Sequence, residues 1–200
     1  MITGIKNWEM KCIRYEQTEN AIEAIIKKIN KENNISVGYL ESCGPSAFCT
    51  LMEGLGVFNF LIQTPTGASI QGDDFVTCYL NDPRNQFEDG DRMDNRYLRS
   101  YPILAQKLFN LRSETLATSF SATKHLLSQG NGVQLCLQDP GHFIAAIAVD
   151  EDKNCILYHD SWGTRNKGPK LRNGGLFERL YQKDFSNMIG TMIVYYKRIM

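Results

Sequence analysis

The sequence has no excess charge of either sign, because 22 Lys and Arg residues balance 22 Asp and Glu residues among its 200 residues. A balanced chain gives no electrostatic reason to bind nucleic acid or an anionic membrane surface. It also contains no basic stripe, no phosphate-binding glycine loop and no recognisable cofactor motif. Neither a nucleic-acid partner nor a cofactor is therefore predicted.

Long apolar runs are missing as well. No segment approaches the ~20 apolar residues of a membrane-spanning helix, and the first nine residues lack the apolar core of a signal peptide. The cysteines contain no CxxC pair and no histidine at zinc-finger spacing, so no metal is predicted. We expect a cytoplasmic protein with reduced thiols and no membrane insertion, with three disulfides as the open alternative. The six cysteines are Cys12, Cys43, Cys49, Cys78, Cys136 and Cys155.

The periodicity of apolar residues changes along the chain, and the length suits one domain over residues 1–200. Helical spacing comes first, and alternation begins near Gly132. This order predicts an α+β domain in which N-terminal helices precede a C-terminal antiparallel sheet. Helices are predicted over 18–31, 46–55, 73–80, 100–111 and 113–130, and strands over 133–137, 142–149, 155–159 and 191–196.

The most distinctive stretch runs from Cys43 to Ala47, where a cysteine is followed at once by Gly-Pro and then by a helical pattern. Pro45 suits the first turn of a helix, since its missing N–H would have no partner there. Cys43 is therefore predicted at a helix N-terminus. Unpaired N–H groups and the helix dipole stabilise a thiolate at that position, so Cys43 is a candidate nucleophile.

A cysteine nucleophile needs a base and a third group that orients the base. His142 and Asp160 lie on two strands that are predicted to form a hairpin. Two registers fit the connecting turn: Val149 opposite Lys153, or Asp150 opposite Asn154. In both, His142 and Asp160 project from one face, ~5 to 8 Å apart at Cβ, whereas a slip of one residue would separate them. His159 is a competing base on the opposite face, although we favour a boundary histidine there.

Two polar segments are predicted to be loops. Residues 81–99 carry turn residues and charges of both signs, and 163–175 carry glycines and basic residues. Asp89 opens a segment that resembles a calcium loop, but the EF-hand order is absent and Ser100 replaces the closing Glu. Both loops are candidates to flank a cleft and to set specificity.

The motifs around these residues resemble those of papain-like cysteine peptidases, most closely the branch that includes double-glycine leader (bacteriocin-processing) peptidases. Cys43 to Ala47 resembles the nucleophile motif at its helix start. Residues 141–147 resemble the catalytic-histidine strand, and residues 160–163 the segment that holds the third catalytic residue. The order of Cys, His and Asp is also that of the family, whereas residues 57–131 match nothing familiar.

The resemblance implies a papain-like fold and a cysteine peptidase or amidase that acts on a peptide or protein through a thioester. It implies that Cys43 attacks the carbonyl carbon, His142 protonates the leaving amine and Asp160 orients the imidazole. Trp162 would shield the His–Asp bond from water, with plain core packing as the alternative.

One expected residue is missing. The family usually places a Gln just before the cysteine as an oxyanion-hole donor, yet no Gln occurs between Gln17 and Cys43. The possible substitutes are Asn34, then Asn33, and also Tyr39 and Ser42. Two alternatives therefore stay open: an acyltransferase or transglutaminase-like enzyme on the same fold, or an inactive binding protein.

Overall fold

The computed structural model describes residues 1–9, 43–57, 62–63, 69–70, 72–82, 84–138, 141–161 and 175–197. The predicted helix 18–31 and almost all of loop 163–175 lie outside these ranges. So do five residues to which the sequence assigned a possible role: Asn33, Asn34, Tyr39, Ser42 and Trp162.

The described residues form helices and an antiparallel sheet, which confirms the predicted α+β class. The helices are α1 (Cys43–Gly54), α2 (Gly72–Asn81), α3 (Ser100–Phe109), α4 (Phe120–Ser128) and α5 (Gln182–Met188). The strands are β1 (Ile2–Gly4), β2 (Ile62–Gln63), β3 (Ser69–Ile70), β4 (Ser113–Ala117), β5 (Gly132–Leu137), β6 (His142–Asp150), β7 (Cys155–His159), β8 (Glu178–Tyr181) and β9 (Ile189–Tyr195). Among the described helices, none is long and apolar enough to cross a bilayer.

The main sheet has seven strands, with the order β4-β9-β5-β6-β7-β8 and with β1 paired to the far end of β6. Side chains alternate between its two faces, and both faces are covered. Phe143 and Ala145 pack with α1 in one apolar cluster. Ile144 and Ala146 pack in a second cluster that includes side chains of α4 and α5. The strand that begins with His142 is therefore buried along its length.

Residues 1–9 connect two of these layers. The backbone N–H of Ile5 donates to the carbonyl of Ile147 in β6, and that of Asn7 donates to the carbonyl of Gly54 at the end of α1, each at 2.9 Å. The Ile5 side chain is buried against Gly54. The first residues of the chain thus hold α1 against β6 at the ends remote from Cys43 and His142.

The predicted helix over 113–130 is wrong in its first part. Ser113–Ala117 is a strand that pairs with β9, and the helix begins at Phe120. Ser119 caps that helix, since its Oγ accepts from the Ala122 N–H at 3.1 Å. Leu116 packs against the second cluster from a strand as well as it would from a helix. Pairing with a neighbouring strand therefore overrode the helical pattern of the sequence.

The predicted helix 100–111 is shorter than expected. It ends at Phe109, because Asn110 adopts the left-handed conformation (φ 48°). The N–H groups of Asn110 and Leu111 then donate back to the carbonyls of Gln106 and Ala105. This is an αL-type end, in which the bond from the Asn110 N–H to Gln106 closes the last turn. Leu111 is buried just beyond the helix.

Five of the six cysteines lie in the described residues, and all five carry reduced thiols: Cys43, Cys49, Cys78, Cys136 and Cys155. Three disulfides would need all six cysteines. That alternative is therefore excluded, and the expected reduced state holds for these five.

Candidate active site

Helix α1 begins at Cys43, and the residue after Cys43 is closely packed. Cys43 retains 8% of its accessible surface, so the thiol lies at the border of the core. A Cβ on Gly44 would lie 1.8 Å from the Tyr101 hydroxyl and 3.0 Å from the Asn95 carbonyl oxygen. Glycine at 44 is therefore required by packing. Cys43 is the first residue of α1, so it belongs to the turn whose N–H groups have no partner within the helix.

The hairpin of β6 and β7 contains an irregularity that decides where His142 points. Asp150 pairs with Cys155 next to the turn, so neither predicted turn pairing is correct. Ala148 pairs with Leu157 but Ala146 pairs with Tyr158, which leaves Ile147 as an extra residue in β6.

This β-bulge shifts the register by one residue. Beyond it, Ala145 pairs with His159. That pairing belongs to the predicted register in which Asp150 would face Asn154. If the pairing next to the turn had continued without the bulge, His142 and Asp160 would lie on opposite faces of the sheet. The bulge is therefore what brings the two side chains together.

His142 and Asp160 form a direct, largely buried hydrogen bond. His142 Nε2 and Asp160 Oδ1 are 2.6 Å apart, and the side chains are 13% and 3% exposed. The other ring nitrogen, Nδ1, is then the one available to Cys43, whose thiol forms a hydrogen bond with the imidazole. His142 therefore links Cys43 to Asp160.

The electrostatics of this group favour a charged imidazole. Burial lowers the pKa of His142, but the hydrogen bonds to Asp160 and Cys43 and the charges of both groups outweigh burial, and raise the pKa to about 9. At neutral pH the ring is thus an imidazolium between a carboxylate and a sulfur. An imidazolium in contact is the partner that stabilises a cysteine thiolate.

The other two histidines do not join this group. His159 is 3% exposed, and its ring lies edge-on to Phe177 with centroids 4.9 Å apart. His125 is exposed on α4, where its Nε2 lies 3.1 Å from the amide nitrogen of Gln129. His159 is buried, so the prediction of a boundary histidine there is wrong, whereas His125 lies at the surface.

The polar loop before α3 lies against the start of α1. Its outer part is closed by Arg99, which binds Asp89 and Asp91 at 2.8 and 2.6 Å and stacks 3.8 Å above the Phe87 ring. These two carboxylates are thus paired with a guanidinium. Within the described ranges, no group of three or more His, Cys, Asp or Glu residues could hold a metal ion. At its inner end, the Asn95 carbonyl accepts a hydrogen bond from the Tyr101 hydroxyl beside Gly44.

Sequence reasoning missed the polar residues that support α1 from behind. Gln134 on β5 donates to the Gly44 carbonyl, and Ser46 Oγ donates to Asp73 Oδ2 at 2.7 Å. All of these side chains are buried. One signal of this role was available: Gln134 lies between apolar residues in a strand that is buried on both faces. A strand with alternating polar residues ordinarily carries a glutamine, however, so Gln134 did not stand out.

Comparison of the chain with known proteins gives no assignment. The sequence matches no protein-family model and no curated protein. Any statement about function therefore depends on the residues and geometry described above.

Proposed function

We propose that this protein is an enzyme that transfers acyl groups through a cysteine thiolate. The observation that carries the proposal is the double contact of His142, with Nε2 on Asp160 and with the thiol of Cys43 in hydrogen-bond contact with the ring. A nucleophile, a base and an orienting group in this arrangement are the minimum set for nucleophilic catalysis.

Within that class, we propose a papain-like cysteine peptidase or amidase. Three features support it: the cysteine begins a helix, the histidine begins a buried strand, and the aspartate follows the neighbouring strand. The substrate would be a peptide, a protein or another carboxamide, and its carbonyl would enter beside the start of α1.

The chemistry follows from the positions of the atoms. The Cys43 thiolate attacks the carbonyl carbon, and the backbone N–H of Cys43 is one donor for the developing oxyanion. The imidazolium of His142 gives its proton to the leaving amine, which leaves a thioester on Cys43. Neutral His142 then accepts a proton from the water that hydrolyses the thioester. Asp160 holds the ring throughout and stabilises its charged form.

The reactivity of Cys43 tests this proposal without a known substrate. Native protein is treated with iodoacetamide at pH 7.5, and the rate at each cysteine is followed by peptide mass spectrometry. We expect Cys43 to react faster than the more exposed Cys78, because only Cys43 has an imidazolium in contact. The matched variant is His142→Gln, in which the rate at Cys43 should fall by about 100-fold while the rate at Cys78 is unchanged.

A Cys43 rate no higher than that of Cys78 or Cys136 in the wild-type protein would disprove the proposal. Acyl-enzyme formed from activated esters then separates the reaction types: water as the preferred acceptor indicates a hydrolase, and added amines as the preferred acceptor indicate an acyltransferase or a transglutaminase-like enzyme.

A further inference from the structure

The peptide just after Cys43 is held by a side chain from the sheet. Gln134 lies in the middle of β5 with no accessible surface, and its Nε2 donates to the carbonyl oxygen of Gly44 at 3.3 Å. Gln134 is 90 residues from Gly44 in sequence. This bond therefore connects two separate parts of the chain at the residue next to the candidate nucleophile.

A second hydrogen bond fixes the orientation of the Gln134 amide. The Tyr195 hydroxyl donates to Gln134 Oε1 at 2.6 Å. Burial, with a contribution from Cys49, raises the pKa of Tyr195 well above its usual value, so the hydroxyl stays protonated and keeps the hydrogen that it donates to Gln134. With its oxygen on the tyrosine, the amide must present its NH₂ group to Gly44.

Aromatic packing holds this pair in place. The Phe48 ring of α1 lies between Tyr195 and Tyr101, with centroids 5.7 and 5.9 Å away. Tyr101 in turn occupies the space beside Gly44 that a Cβ would fill. One side of Gly44 is thus closed by Tyr101, and its carbonyl is bound by Gln134.

The hydrogen bond from Gln134 limits the backbone motion of Gly44. The packing of Tyr101 demands glycine there, and glycine brings more backbone freedom than any other residue. That freedom lies between Cys43 and the rigid ring of Pro45. A small rotation at Gly44 would move the sulfur relative to His142, and a displacement of about 1 Å can cost a factor of about 100 in rate. A hydrogen bond from Gln134 to the Gly44 carbonyl adds to the helical bonding of α1 and restricts that rotation further.

We propose that Gln134, oriented by Tyr195, is a positioning residue that fixes the Gly44 peptide and thereby keeps the Cys43 sulfur in contact with His142. This inference rests on the proposed function, since it concerns the same thiol. It assigns Gln134 no contact with a substrate. Its role is distinct from that of the glutamine expected before the cysteine, which would donate to an oxyanion.

The test compares Gln134→Glu with wild type by the iodoacetamide rate at Cys43 between pH 6 and 9. A protonated carboxyl can still donate to the Gly44 carbonyl, whereas a carboxylate can only accept and repels that oxygen. We expect the ratio of variant to wild-type rate to fall by about tenfold as pH rises and the buried carboxyl ionises. Titration of His142 and Cys136 occurs in both proteins and largely cancels in the ratio.

Gln106→Glu is the matched control, because Gln106 is exposed on α3 and undergoes the same chemical change. Its rate ratio should stay near one at every pH. A role of Gln134 in stability alone predicts the same flat ratio for folded Gln134→Glu, and that result would overturn the inference.

A second variant covers the case in which Gln134→Glu does not fold. The double substitution Gln134→Met with Tyr195→Phe removes both partners of the Gln134–Tyr195 bond and keeps the packing volume, so only the bond to the Gly44 carbonyl is lost without replacement. We expect its Cys43 rate to be about tenfold below wild type, and an unchanged rate would overturn the inference. Failure of the proposed function looks different, because slow Cys43 alkylation would already be seen in the wild-type protein.

Discussion

Two polar regions contact the start of α1, and they differ in how their bonds are made. Behind the helix, Gln134 and Tyr195 have no accessible surface and use neutral hydrogen bonds. In the loop before α3, the bonds of Arg99 join charged side chains that are 45% to 69% exposed. Buried polar groups must keep their partners because water cannot replace them, whereas exposed ion pairs exchange readily with water. The first region can therefore fix the position of a thiol, while the second shapes a surface.

The largest effect is expected where the buried region has no spare room. Gly44→Ala should lower the free energy of unfolding by about 3 kcal/mol, because the new methyl group overlaps the buried Tyr101 hydroxyl. Urea denaturation followed by circular dichroism measures it. Gly90→Ala is the control: its Cβ meets no atom within 4 Å, so it bears only the cost of a positive φ, about 1 kcal/mol. Equal losses for the two variants would show that Gly44 is not tightly enclosed.

An intermediate effect is expected from pH, through His142. Its pKa in the folded protein, about 9, lies above the ordinary value of 6.5. The charged ring therefore stabilises the fold fully below pH 6.5, and this contribution disappears as pH rises through about 9. The difference in Tm between wild type and His142→Gln should accordingly shrink over that range. A difference that stays constant from pH 6.5 to 9.5 would show that the contacts of His142 with Asp160 and Cys43 do not form.

The smallest effect is expected in the exposed region. Arg99→Gln removes two ion pairs, yet its Tm should stay within about 2 °C of wild type, because exposed pairs contribute little. Ser46→Ala, which removes one buried bond to Asp73, is the comparison and should lower Tm by about 4 °C or more. A larger loss for Arg99→Gln than for Ser46→Ala would reverse the distinction between the two regions.

The sequence predicted the helix and strands of this site better than the contacts between them. Cys43 at a helix start and His142 at a strand start follow from local patterns, namely Gly-Pro before a helical stripe and alternation after Gly132. The sequence did not decide whether His142 contacts Asp160. A change of one residue in the hairpin register moves the two side chains from the same face of the sheet to opposite faces. The residue that fixes the register is Ile147, and an apolar residue in an apolar strand gives no sign that it forms a bulge.

The hydrogen bonds that support α1 were even harder to predict from the sequence. Gln134 and Gly44 are separated by 90 residues, and only the assembled sheet brings them together. The same reason accounts for the error at Ser113–Ala117, where pairing with β9 overrode a helical pattern. Local chemistry therefore predicted which residues carry reactive groups, and long-range packing decided which of them meet.

The strand at the very start of the chain carries a consequence for the order of folding. Ile2 pairs with Asp150, and Ile5 bonds to the carbonyl of the bulged residue Ile147. Closing so long a loop costs conformational entropy that is recovered only when the pairing partner is already in place. Residues 1–9 can dock only after residues 147–150 have formed their strand. Their docking thus waits until α1 and β6 have met, and the mutual alignment of Cys43 and His142 belongs to the late stages of folding.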